Sequence, residues 1–176
     1  MKIIIVTGMP GAGKEEFLSI AGSMGIPSAR MGDAVRESYS NSPDRENGLN
    51  VGEFANAERK RFGKNIWAKR TIEKMSGGLF LIDGCRSMDE VRSFRELSDD
   101  VLVIGIHSPP KQRYERLVRR GRNDAPKDTA EFNERDSREI SWGLAEVIAL
   151  SDVMIVNDSS LDRFHSAAEN VLKGLK

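Results

Sequence analysis

The chain has 176 residues with 27 basic and 27 acidic side chains, so its formal net charge is zero. That length suits one domain over 1–176, and the neutral balance excludes a global field that would draw nucleic acid, leaving anion binding to local arginine clusters. No apolar run approaches the roughly 18 residues of a membrane span, and a single cysteine, Cys85, rules out an internal disulfide and fits the cytoplasm.

The N-terminal residues Met1-Lys2-Ile3 lead straight into a strand predicted over 2–7, leaving no room for a signal peptide. Gly8-Met9-Pro10-Gly11-Ala12-Gly13-Lys14 follows, the Gly-x-x-x-x-Gly-Lys spacing of a phosphate-binding loop at a strand end. Glycines let such a loop wrap an anion with its backbone N–H groups turned inward. The helix starting near Lys14 adds its positive end, and Lys14 reaches the β- and γ-phosphates as a mobile charge. Residues Gly8 to Glu16 are therefore the expected ATP-binding segment. The position after the lysine usually carries Ser or Thr, whose hydroxyl binds Mg²⁺; here it is Glu15, followed by Glu16. Glu15 has two readings, a carboxylate ligand of Mg²⁺ or a first-turn acid stabilised by the helix dipole.

A helix over 15–24 turns Phe17, Leu18, Ala21 and Met24 inward and stops at Gly25-Ile26-Pro27. A short strand is expected at 26–30, then a charged, mostly helical stretch to residue 76, then strands at 79–83 and 101–106. Ser108-Pro109-Pro110 opens a helix with Tyr114, Leu117 and Val118 on one face. Asp128 to Glu131 caps one long helix carrying Ile140, Leu144, Val147 and Ile148. A fifth strand at 153–156 precedes a last helix with Leu161, Phe164, Ala168, Val171, Leu172 and Leu175 as its apolar stripe.

Apolar strands separated by helices predict a parallel sheet covered on both faces, with ligands beyond the carboxyl ends of the strands. Three polar segments should join the loop there. Met31-Gly32-Asp33-Ala34-Val35-Arg36 offers Arg36 as a phosphate fork. Ile82-Asp83-Gly84-Cys85-Arg86 places Asp83 at a strand end for Mg²⁺ or its waters and offers Arg86 as a second fork, with Cys85 as a packing residue. The run from Arg113 through Arg116, Arg119, Arg120 and Arg122, then Asn123-Asp124-Ala125-Pro126, Arg135 and Arg138, predicts an arginine-bearing lid over 119–134. His107 and His165 lack partners at zinc-ligand spacing.

Together these segments resemble the P-loop nucleotide kinases. The loop and the segments containing Arg36 and Arg86 look like the phosphate loop and the two acceptor-binding motifs of adenylate kinase. Ser151 to Leu161 resembles the closing strand and turn of dephospho-coenzyme A kinase. The whole chain is similar to an archaeal group related to both. Departures are Glu15, Cys85 where adenylate kinases carry an aromatic followed by Pro, and Arg30-Met31-Gly32-Asp33 where an Asp-x-Asp is expected. The resemblance implies an α/β, three-layer P-loop NTPase fold with a five-stranded parallel sheet, a helical acceptor-binding insertion over 37–76 and a short lid. It implies transfer of the γ-phosphoryl group of ATP, with Mg²⁺, to a nucleotide or nucleotide-like metabolite. Arg36 and Arg86 would hold the acceptor phosphate, and Arg119, Arg122 and Arg138 would serve catalysis beside Lys14. Asp33 would be the base if the acceptor is a hydroxyl. The competing expectation is a nucleotide-binding regulatory ATPase without a small acceptor; partnership with nucleic acid or membrane is not expected.

Overall fold

A computed structural model describes residues 1–175 except Glu46, Ser76, Asn123 and Asp124, so those members of the expected insertion and lid, and Lys176, lie outside the described residues. Five parallel strands lie in the order β2-β3-β1-β4-β5. They are β1 Lys2–Thr7, β2 Ser28–Arg30, β3 Leu79–Asp83, β4 Asp100–His107 and β5 Val153–Val156. The central β1 pairs Ile4 with Leu81 on one side and with Leu102 on the other. Ile3, Ile4, Ile5 and Val6 are all fully buried, which is why this strand reads as a continuous apolar run rather than an alternation.

Alternation still divides the core between two faces. Ile4 and Val6 meet Phe17, Leu18 and Ala21 of α1 (Lys14–Ser23) and Phe164, Ala168 and Leu172 of the C-terminal helix Leu161–Lys173. Ile3 and Ile5 meet Met31, Trp67, Phe94 and Val147 on the opposite face. Each large apolar side chain taken out of water here contributes about 1.5–3 kcal/mol.

Between β2 and β3 the chain forms α2 (Met31–Ser40), a 3₁₀ turn at Pro43–Arg45, α3 (Val51–Phe62) and α4 (Ile66–Ile72). Asn50 and Glu53 build a capping box at the start of α3. The fully buried Trp67 holds the group together, its indole N–H donating to the Ala55 carbonyl at 3.2 Å. Then come α5 (Met88–Leu97), α6 (Pro110–Arg120), α7 (Thr129–Ser141), α8 (Leu144–Ala149) and α9 (Leu161–Lys173).

Three expectations need correction. The single helix expected from Asp128 to Ile148 is two, α7 and α8, broken where Gly143 takes φ 103°, a left-handed conformation that glycine adopts without strain. The break turns Ile140 outward, 50% exposed, while Leu144 and Val147 stay buried. On α6 the inner face is Arg113 and Leu117, and Val118 points to solvent. Leu161, at the start of α9, is exposed rather than part of the buried stripe.

Candidate functional site

A cavity of about 720 Å³ opens at the carboxyl end of the sheet. Nine of its lining side chains are Lys or Arg and four are Asp or Glu. In a neutral chain this surplus of basic groups is local.

The loop Gly8–Gly13 forms one wall. Gly13 sits at φ 118° as the cap of α1 and offers no side chain to the first N–H groups of that helix, an arrangement that suits an anion. A Cβ on Gly13 would come within 2.5 Å of the Asn157 amide nitrogen. That amide, from the turn after β5, donates to the Ala12 carbonyl at 2.8 Å. From the other side the buried Arg113 donates to the Pro10 carbonyl at 3.1 Å and forks onto Asp136 of α7 at 2.9 and 2.5 Å. The loop is thus fixed by two neighbouring elements. Lys14 donates to the carbonyls of Gly8 and Met9 at 2.6 and 3.3 Å. Burial pulls its ammonium pKa below the ordinary value, against the opposing pull of Asp83 and Glu139.

Asp83, at the end of β3, lines the cavity, and its Oδ1 is buried with no hydrogen-bond partner. An orphaned carboxylate oxygen beside a phosphate loop fits a cation or its water shell. Among the described residues no group of three or more His, Cys, Asp and Glu is arranged to hold a metal.

Glu15 also lines the cavity, but its carboxylate is turned to arginines. Oε1 accepts from Arg122 Nη1 at 2.5 Å, and Oε2 lies 3.5 Å from Arg120 Nη1. The Arg122 hydrogen bond holds the Glu15 carboxyl below its ordinary pKa. Glu16 pairs instead with His165 of α9 at 2.6 Å.

The two expected acceptor arginines line the same cavity. Arg86 Nε donates to Glu139 Oε2 at 2.7 Å, and its guanidinium lies 5.3 Å from the centre of the Trp142 ring. Burial alone would lower the Arg86 pKa, but Glu139, Glu90 and Asp83 hold it above the ordinary value. Its backbone N–H donates at 2.6 Å to Glu90, a fully buried carboxylate whose pKa burial pushes up and whose other oxygen lies 3.7 Å from Arg59 of α3. Arg59 and Arg138 also lie against the Trp142 ring. Arg36 lines the cavity and pairs with Asp33 one helical turn back.

The structure therefore brings together Lys14, Glu15, Glu16, Arg36, Asp83, Arg86, Arg119 and Arg122 with Gly8, Pro10, Gly11 and Gly13. It places Asp33, Arg138, Met9 and Ala12 outside the cavity lining, Ala12 fully buried in the loop. Cys85 is buried and its thiol pKa raised by burial, as suits a packing residue. Sequence reading missed Glu139 as a lining group and Asp136 as a support. Only the four-residue spacing from Arg135 to Glu139 signals a polar face on α7 turned to the site.

The AAA_18 family, described as an AAA domain, matches residues 4–140. UPF0200 protein Ta0179 of Thermoplasma acidophilum is 43% identical over 171 residues, covering 97% of this chain and 94% of that protein. UPF0200 protein TV0279 of Thermoplasma volcanium is 45% identical over 171 residues, covering 97% and 96%. Among solved structures, shikimate kinase from Bacteroides thetaiotaomicron superposes with a TM-score of 0.68 at 15% identity, covering 99% of this chain and 98% of that one. That likeness is of fold: a P-loop, kinase-like α/β domain with a five-stranded parallel sheet.

Proposed function

The chain belongs to the UPF0200 family of archaeal proteins, with an AAA domain, and from that premise we propose that it is a cytoplasmic ATP-dependent kinase acting on a phosphorylated, nucleotide-like metabolite. The observation that carries this reading is the excess of cations in the cavity that holds the phosphate loop, among them both expected acceptor arginines, Arg86 and Arg36. Nine basic against four acidic lining groups would suit a donor polyphosphate together with a phosphorylated acceptor.

In this reading the loop amides and Lys14 hold the β- and γ-phosphates of ATP. Asp83 would hold Mg²⁺ through its orphaned oxygen; the ion would neutralise charge on the phosphates. Arg86 and Arg36 fix the acceptor phosphate, with 37–76 as the acceptor-binding insertion and 119–134 as the lid. An acceptor oxygen then attacks the γ-phosphorus, the bond from that phosphorus to the β–γ bridging oxygen breaks, and ADP leaves with the electron pair. Arg119 and Arg122 spread the charge of the transferring group. Asp33 lies outside the lining and pairs with Arg36, an arrangement that favours a phosphate acceptor, already ionised, over a hydroxyl that needs a base.

The test is ADP formation with nucleoside monophosphates and other phosphorylated nucleosides screened at millimolar concentration. Lys14→Ala should lose ATP binding. Arg86→Ala and Arg36→Ala should raise the acceptor KM or lower turnover with ATP affinity little changed. If no acceptor speeds ADP formation while ATP still binds through Lys14, the kinase reading falls and a regulatory ATPase takes its place.

A further inference from the structure

Glu15 stands where a hydroxyl is usual, and its surroundings are those of a bound phosphate rather than of a metal ligand. Arg122 and Arg120 take one carboxylate oxygen each, at 2.5 and 3.5 Å. Arg30, at the end of β2, adds its field to the same carboxyl. All four groups line the cavity, next to Lys14 and to the uncapped N–H groups of α1. A carboxylate and a phosphate oxygen pair ask the same of guanidinium groups: negative charge and two acceptors for a fork. Arg120 closes α6 and Arg122 lies two residues beyond it. The contact therefore ties the arginine-bearing end of α6 to the first turn of α1.

We infer that Glu15 is a positioning residue, an internal stand-in for nucleotide phosphate that docks Arg120 and Arg122 on the phosphate loop and releases them to the polyphosphate when it binds. This rests on the loop being the nucleotide site. The exchange replaces one carboxylate charge by the several charges of a polyphosphate, so it runs toward the ligand. The released Glu15, 40% exposed in its paired state, can turn to water. Glu15 thus opposes binding by the strength of the contact that must be broken. A magnesium ligand would act in the opposite direction, strengthening nucleotide binding.

Titration calorimetry with inorganic tripolyphosphate in the absence of Mg²⁺ tests this with wild type, Glu15→Gln, Arg122→Gln and the double variant. Gln keeps the size and the helix while removing the charge. Glu15→Gln should tighten tripolyphosphate binding by about 5- to 10-fold, the worth of about one exposed charge contact. In the Arg122→Gln background the same change should gain distinctly less, because the closer of the two arginine contacts of Glu15 is already gone and only the one to Arg120 remains. A gain equal or larger in that background means that Arg122 only shields Glu15, and overturns the exchange. Unchanged or weakened binding in Glu15→Gln also overturns it, as does a raised Mg²⁺ requirement for ATP in that variant. Lys14→Ala separates the two levels. If it leaves tripolyphosphate binding intact, the nucleotide-site reading itself fails; if it abolishes binding while the Glu15 pattern fails, only the stand-in role falls.

Discussion

Arg86 and Arg36 face the same cavity and are held in opposite ways. Arg86 is one-third exposed, bonded to a buried glutamate and stacked on Trp142, with its backbone N–H anchored by Glu90. Arg36 is 61% exposed, and its partner Asp33, on the same helix, is 64% exposed. A side chain already fixed loses little rotamer freedom when it meets a ligand, whereas one in water must be ordered at that moment, at about 0.5–1.5 kcal/mol. In the proposed kinase the pair would join a rigid anchor to an adaptable clamp. A substrate that varies in shape is best met by such a pair, because one contact sets position and the other follows.

The contrast is broken most severely by Glu139→Ala. Removing one partner of a buried ion pair costs 3–5 kcal/mol, and the partial exposure of Arg86 lowers the expectation to about 1–3 kcal/mol. Thermal denaturation should show a fall of several degrees, and acceptor KM should rise with ATP affinity unchanged; a wild-type melting curve would show that Glu139 is not the anchor. Lysine substitution sharpens the comparison next. Lysine cannot fork or stack as arginine does, so Arg86→Lys should cost acceptor kcat/KM about tenfold, or about 1.4 kcal/mol, while Arg36→Lys costs only about two- to threefold. Equal losses would abolish the distinction.

A smaller effect is expected in the pH profile. Burial raises the Glu90 carboxyl pKa in the folded state. Its contribution is therefore fully present below the ordinary carboxylate pKa and is lost as pH rises through the raised value. Denaturant unfolding should show stability falling over that interval, and Glu90→Gln should flatten it; an unchanged slope would place the titration elsewhere. Asp33→Ala should be the mildest change, within about 0.5 kcal/mol, because exposed pairs contribute little. A larger loss in chemical denaturation would mean that Arg36 is held as firmly as Arg86.

The sheet was legible because strands buried on both faces leave unbroken apolar runs, as in Ile3–Val6, and the loop because its glycine and lysine spacing has few other uses. The break at Gly143 was hidden. Ile140, Leu144 and Ile148 keep helical spacing across it, and one glycine weighs only about 1 kcal/mol against a helix. Nor does an arginine run reveal which members turn inward. Arg113 is buried and Arg119 lines the cavity because Asp136, on a different helix, claims the first of them. Glu139 escaped notice for the same reason: its role comes from its contact with Arg86, 53 residues away in sequence, and such a pairing leaves no period in the chain.

The amide of Asn157 has a consequence beyond the loop it supports. Arg116 binds the Asn157 carbonyl and side-chain oxygen at 3.1 and 3.2 Å, and the Asn157 amide holds Ala12. These hydrogen bonds link the end of edge strand β5, helix α6 and the phosphate loop. A ligand on the loop is expected to slow hydrogen exchange in β5, an edge strand whose Met154 and Val156 face solvent.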